Sequence, residues 1–266
     1  MTKDKSKNRS TDKAFQRRSA LVTGGGKRVG RAIALALGEA GFNVGIHYNN
    51  SEADAAEVAR QVRHFGVSST IAKADLSKEK KISTLIETVA ADIGPISLLV
   101  NSASMFEDDS ITSMTRESWD LHMETNLRAP LKLSQDFVAQ APEGVDNLII
   151  NLIDQRVLKL TPQFLSYTLS KTALFTLTKT LAQELGPQGI RVNGIGPGPT
   201  LRNKRQSEED WQAQNAATIL GHGATPDDIV GALLYLVDAM AVTGQMIAVD
   251  GGQHLAWETA DVLVNE

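Results

Sequence analysis

The sequence predicts a single α/β domain built on a doubly wound parallel sheet. Three observations predict it. Short runs rich in Val, Ile, Leu and Ala alternate with helix-length segments from Ser19 onward. The runs are continuously apolar, as strands covered on both faces must be. A glycine-rich loop, "TGGGKRVG" at 23–30, joins the first run directly to the first helical pattern.

Taken in order, the predicted strands are Ala20 to Thr23, Asn43 to His47, Ser69 to Ala74, Ile96 to Asn101, Leu148 to Ile153, Ile190 to Ile195 and Met246 to Val249. Between them lie segments with apolar spacing near 3.6, such as "GRAIALALGEAG" and "KTALFTLTKTLAQELG", each closed by glycine. This βαβ repetition places ligands outside the carboxyl ends of the strands. Residues 19–266 show no internal repeat or linker, so one domain accounts for them.

Composition narrows the class. At 266 residues with 42% hydrophobic and 22% charged residues, the chain can bury a substantial core. There is no cysteine, hence no disulfide framework and no thiolate metal site. No metal is expected, and a reducing, cytoplasmic setting is. No apolar run reaches the roughly 18 residues of a membrane span. Residues 1–18 carry seven Lys/Arg against two Asp, while the whole chain is at −4. Such a polar basic tail is expected to be disordered, and the acidic body offers no second basic patch for nucleic acid.

The loop at 23–30 carries the first chemistry. Gly24, Gly25, Gly26 and Gly30 permit a tight turn and close approach of backbone N–H groups to a diphosphate, which the helix N-terminus that follows also favours. Further on, Tyr167 and Lys171 are four residues apart and share one helix face. Asp154 closes the predicted fifth strand, thirteen residues before the tyrosine, so the three can meet in space.

Over nearly its full length after the tail, the chain resembles the short-chain dehydrogenase/reductases. The matching motifs, in the family's order, are the Thr-Gly loop at 23–30, "ADL" at 74–76, "NSAS" at 101–104, Asn126 in "ETNLRAP", Tyr-x-x-x-Lys at 167–171, "RVNGIGPGPT" at 191–200 and "VTGQMIAVDGG" at 242–252. The resemblance implies a Rossmann-type fold, a nicotinamide cofactor and a homotetramer. Two departures resemble the pteridine reductase branch: Arg28 replaces the middle glycine of the loop, and Asp154 stands where a serine usually precedes the tyrosine. "IHYNNS" at 46–51 and Phe106 after "NSAS" resemble the same branch.

For the cofactor, the candidate contacts in the loop are Gly24, Lys27, Arg28, Val29 and Gly30, with the glycine backbone facing the diphosphate. Beyond strand 2 stand His47, Tyr48, Asn49, Asn50 and Ser51, neutral or basic where NAD-selective proteins place an acid. Ser51 is positioned to cap the next helix beside a 2′-phosphate, and Lys27 resembles the basic residue of NADP-using relatives. NADPH is therefore expected, although Glu52 and Asp54 lie close by. Asp75 and Leu76 resemble the adenine pair, Asn101, Ala103 and Ser104 the segment behind the nicotinamide, and Pro197, Gly198 and Thr200 the carboxamide frame. Taken singly, each has a plain alternative as a turn or strand end.

For the chemistry, the resemblance makes Tyr167 the proton donor, Lys171 the cation that lowers its pKa and holds the ribose, and Asn126 the support of a proton path. A phenol titrates near 10, so the expected shift is downward. Asp154 changes the substrate problem. A serine hydroxyl donates to a substrate oxyanion, whereas an ionised carboxylate can only accept. A pterin suits it, because its reducible bonds are C=N and its ring presents N–H and amino donors. Arg28, Ser104, Phe106, Asp154 and Tyr167 are the candidate substrate contacts, with Phe106 lying over the ring. The predicted function is thus NADPH-dependent reduction of a pterin or dihydropterin. Its rivals are a 3-oxoacyl thioester reductase and a dinucleotide-binding sensor without catalysis, against which intact Tyr167, Lys171 and Asn126 argue. Residues 201–220 are expected to form a mobile substrate cap, within which Trp211 either lines the pocket or packs the cap. The C-terminal "HLAWETADVLVNE" runs past the usual family end, toward a neighbouring subunit or not.

Overall fold

The computed structural model describes residues 18–257. The basic tail, apart from Arg18, and residues 258–266 of the C-terminal stretch lie outside that range, and so do the expectations that rest on them. Arg18 itself belongs to the folded part: its carbonyl accepts from the Asn43 N–H at 3.0 Å, and its guanidinium lies 4.4 Å from the centre of the Phe42 ring.

In chain order the elements are β1 (Ser19–Val22), α1 (Arg28–Glu39), β2 (Asn43–Tyr48), α2 (Glu52–Arg63), β3 (Ser69–Lys73), α3 (Glu79–Ile82), α4 (Leu85–Ile93), β4 (Ile96–Asn101), α5 (Arg116–Met123), α6 (Ala129–Gln140), β5 (Asn147–Leu152), α7 (Leu165–Leu185), β6 (Ile190–Pro197), α8 (Glu208–Ala216), α9 (Pro226–Asp238) and β7 (Met246–Val249). Every predicted strand is present, with ends moved by at most two residues. The strands form one sheet in the order β3-β2-β1-β4-β5-β6-β7, and every neighbouring pair is parallel.

Because the side-chain period of a strand is two, β1 feeds both faces of the sheet. Ala20 and Val22 pack with Ile33, Leu37, Val58 and Leu233 on one side. Leu21 packs with Val89, Leu133, Phe137 and Leu181 on the other. The helices answer with apolar faces of helical period. In α1 the buried positions are Gly30, Ile33, Ala34, Leu37 and Gly38, spaced three and four apart. The strand order reverses between β1 and β4, and that is the place where a doubly wound sheet opens a crevice at its carboxyl edge. Among the described residues no helix is long and apolar enough to cross a membrane.

Candidate active site

At the carboxyl end of β1 the chain turns into α1 through a loop with no room for side chains at its bend. Gly24 has φ +64°, and a Cβ on Gly30 would stand 2.4 Å from the Gly24 carbonyl oxygen. This is a cradle of backbone at a helix N-terminus, fitted to a diphosphate by its shape and its N–H groups. His47 of β2 supports it from beneath. Its Nδ1 accepts from the Gly24 N–H at 3.1 Å, and its Nε2, which then carries the proton, donates to the Ala74 carbonyl at 3.0 Å. With 2% exposure, the ring is a strut under the loop instead of the phosphate donor that the sequence suggested.

Several other expected cofactor contacts are likewise engaged with the protein. Asn101 is buried, and its Nδ2 donates to Asn151 Oδ1 of β5 at 2.8 Å, while its own Oδ1 has no partner. Asp75 accepts from the N–H and hydroxyl of Ser77 at 3.0 and 2.7 Å, which lowers its pKa. Leu76 sits in the core. Ser51 stands at the N-cap of α2, yet its side chain makes no capping bond, and Asn50 beside it is exposed. Tyr48 is buried against Glu52. Val29 is half-buried, as are Ala103, Pro197 and Gly198. The Thr200 hydroxyl bonds to the Gly198 carbonyl at 3.1 Å. Lys27 pairs with Asp54 at 2.9 Å, both on the surface.

Arg28 takes a course that the sequence did not suggest. At φ +52° it holds the left-handed backbone of the glycine it replaces, a cost of about 1–3 kcal/mol for a residue with a Cβ. Its guanidinium donates to the carbonyls of Leu201 and Arg202 at 2.8 and 3.1 Å. It therefore clips the glycine loop to the segment leading into α8, in which Trp211 is half-buried.

Across the crevice, β5 ends at Leu152, and a short turn at Gln155–Val157 follows with Asp154 as its N-cap. One carboxylate oxygen of Asp154 accepts from the Arg156 N–H at 2.8 Å, and the other accepts from the Tyr167 hydroxyl at 2.7 Å. Helix α7 brings Tyr167 and Lys171 to the same face, but its lysine does not govern the phenol. Lys171 Nζ donates to the Leu152 carbonyl at 2.7 Å and lies 5.9 Å from the centre of the Tyr167 ring. Burial, then the Asp154 charge and its hydrogen bond, hold the phenol well above its ordinary value, against the opposing pull of Arg156 and Ser104. The downward shift expected from Lys171 gives way to an upward one, because burial first, and then the neighbouring carboxylate, favour the protonated phenol. Burial lowers Lys171 itself to about 8, with Asp154 opposing.

Asn126 sits in a π-helical turn, Glu124–Arg128, between α5 and α6. Its Oδ1 accepts from Met105 N–H at 2.8 Å and from the Ser104 hydroxyl at 3.2 Å. Its Nδ2 donates to the Met105 carbonyl at 2.9 Å and to Ser170 Oγ of α7 at 3.1 Å. With both ends engaged, this side chain ties the loop after β4 to α7.

Phe106 lies in that loop, half-exposed. Its ring stacks on Phe164 at 4.4 Å and 16° and meets Tyr167 edge-on at 4.6 Å and 70°. Arg205 and Arg156 flank the pair, 5.5 Å from the Phe106 ring and 5.1 Å from the Phe164 ring. Sequence reasoning missed Phe164, which has φ +56°, and both arginines. The available signal was "QFLSY", an aromatic residue three places before the tyrosine.

A parallel sheet in this order, a glycine cradle at its switch point and a buried Tyr–Lys pair on one helix define a Rossmann-type oxidoreductase. The chain belongs to the short-chain dehydrogenase/reductase family: residues 26–254 match the family model described as enoyl-(acyl carrier protein) reductase. It is 31% identical over 242 residues to the 3-oxoacyl-[acyl-carrier-protein] reductase FabG of Staphylococcus epidermidis, spanning 90% of this chain and 99% of that one. Among solved structures, it is similar to FolM alternative dihydrofolate reductase 1 from Brucella canis, complexed with NADP, at 42% identity and TM-score 0.88 over 94% of this chain and 99% of that one. The Brucella suis counterpart, also in complex with NADP, gives 43% identity and TM-score 0.89 over 92% and 98%.

Proposed function

We propose that the protein is an NADPH-dependent reductase of a dihydropterin. The observation that carries this reading is the 2.7 Å hydrogen bond from the Tyr167 hydroxyl to Asp154. It leaves the phenol charged with its proton and sets a carboxylate beside the reacting centre. When bound, the dihydronicotinamide supplies a hydride to a substrate carbon. Tyr167 then gives its proton to the adjacent nitrogen, the one other atom the reduction of a C=N bond needs. Asp154 accepts from the N–H and amino groups of the pterin and orients the ring. Lys171, an ammonium below about pH 8, holds the ribose, and Phe106 covers the outer face of the substrate. The similarity to the two Brucella reductases supports the same substrate class.

The relatives that reduce 3-oxoacyl thioesters favour a second reading, in which the substrate is a ketone. Asp154 speaks against it, since a carboxylate opposes the oxyanion that a ketone develops. An NADPH oxidation assay over dihydrobiopterin, dihydromonapterin, dihydrofolate and an acetoacetyl thioester decides between the two. Turnover of the thioester alone overturns the proposal.

Two further results follow from the site. Phe106→Ala should raise KM for a dihydropterin about tenfold, equivalent to about 1.4 kcal/mol, because the lost stacking is of that order. NADPH affinity should stay within about twofold. If the variant instead melts earlier with pterin kinetics intact, Phe106 is only a packing residue. Lys27→Ala should reduce the preference for NADPH over NADH by about threefold to tenfold, since a 2′-phosphate would draw Lys27 away from Asp54, a surface pair worth at most about 1 kcal/mol. A preference for NADH in the wild type would refute the cofactor assignment. For assembly, a homotetramer is the proposal; Ile219, Leu220, Leu255 and Trp257 are exposed at 55–66%, and Leu220 N–H bonds to Gly251 in the segment just before the latter two.

A further inference from the structure

Helix α7 has no capping side chain of its own. Its N-cap is Phe164, left-handed and without a side-chain hydrogen bond to the helix. The orphan N–H groups of the first turn are satisfied from far away in sequence. The Asp109 carbonyl accepts from the Leu165 N–H at 3.1 Å, and Asp109 Oδ1 accepts from the Ser166 N–H at 2.9 Å. Asp109 Oδ2 accepts from the Ser166 hydroxyl and from the Ser118 hydroxyl of α5 at 2.6 Å.

The cluster continues into His122 of α5. Its Nε2 accepts from the Glu107 N–H at 3.1 Å, so its proton is on Nδ1. Nδ1 is 2.7 Å from Ser166 Oγ and 3.0 Å from the Ser118 carbonyl. Nδ1–H then donates to Ser166 Oγ and the Ser118 carbonyl, and the Ser166 and Ser118 hydroxyls both donate to Asp109. Burial pushes the Asp109 carboxyl up, but the hydrogen bonds from Ser118 and Ser166 outweigh it and the pKa is lowered. Asp109 is 3% exposed, and Ser166 and His122 are fully buried.

We propose that Asp109 is a positioning residue for the reaction: by capping α7 from the loop after β4, it fixes the loop that carries Phe106 to the helix turn that carries Tyr167. Glu107, pinned by His122, directly follows Phe106, and Ser166 directly precedes Tyr167. The lid over the substrate and the proton donor therefore share one rigid frame. The Phe106 half of this inference rests on the dihydropterin reading; the Tyr167 half does not. Beyond its first turn α7 is anchored by Leu174, Leu181 and Leu185, so loss of the cap loosens the site and leaves the body folded.

The variant Asp109→Asn tests it, because an amide must present a donor to one of the hydroxyl protons that the carboxylate accepts. With NADPH-saturated enzyme and 7,8-dihydrobiopterin, kcat should fall at least tenfold and KM rise about tenfold. NADPH affinity should change less than twofold, and exposed Asp108→Asn should behave as wild type. Adding Asp109→Asn to Phe106→Ala should raise KM no further, since both act through the same ring. Amide exchange at Glu107 and Ser166 should accelerate together. The proposal is overturned if kcat and KM hold while the melting temperature falls, if the two substitutions multiply in KM, or if exchange rises at Ser166 alone. Should wild type turn over the acetoacetyl thioester and none of the three dihydropterins, the dihydropterin reading falls, and an unchanged kcat of Asp109→Asn on that thioester would sink this inference separately.

Discussion

Tyr167→Phe is expected to lower kcat by about a hundredfold to ten thousandfold, the range supplied by a positioned general acid, with NADPH affinity nearly unchanged. Only the hydroxyl is lost; the ring keeps its edge contact with Phe106 and its place on α7. A variant that kept a tenth of wild-type kcat would show that the proton comes from elsewhere. The companion pH profile has a definite sign. Because the phenol is held well above its ordinary value, it stays protonated through neutral and mildly basic solution. Lys171 titrates first, near 8. Activity should therefore fall as pH rises through about 8, with the loss of the ammonium that holds the ribose.

That loss is separable from unfolding. Lys171 titrates near 8 in the folded chain and near 10.5 as a free side chain. Between these values the unfolded chain binds the extra proton, so this group's contribution to stability improves with pH there. An enzyme that loses activity above pH 8 while its melting temperature does not fall through that group would match; a fall in activity that tracks unfolding would not.

How much of this was legible in the sequence differs from element to element. The strands were readable because each is buried on both faces, so its apolar run is uninterrupted. The Tyr167–Lys171 pair was readable because four residues make one helical turn. His47, Arg28 and Asp109 were not readable in the same way, since what each does depends on partners 23 to 174 positions away. Local spacing carries no record of such pairs. Asp109 lies in "EDDS", a polar string whose composition does not show that Glu107 and Asp108 are exposed while Asp109 turns inward. The sign of the Tyr167 shift was hidden for a related reason: the lysine is close in sequence, but burial of the phenol and its hydrogen bond to Asp154 come from the folded packing and outweigh it.

Asp154→Ser should exchange one substrate class for the other. The serine still caps the turn at Gln155–Val157, since hydroxyls and carboxylates cap comparably, so the variant is expected to fold. On a dihydropterin, the loss of the acceptor for ring N–H and amino groups should cost about a hundredfold in kcat/KM, about 2.7 kcal/mol, in the range for removing one partner of a charge-assisted hydrogen bond. On an acetoacetyl thioester the change should run the other way. At about 4 Å and an effective dielectric near 20, the carboxylate opposes a developing oxyanion by about 4 kcal/mol, and a hydroxyl would donate to it instead. Asp154→Asn separates charge from shape: it removes the repulsion while keeping size and the cap. If thioester reduction stays flat in both variants while pterin reduction survives, Asp154 serves only as the cap of its turn. The dihydropterin reading would then lose its central support.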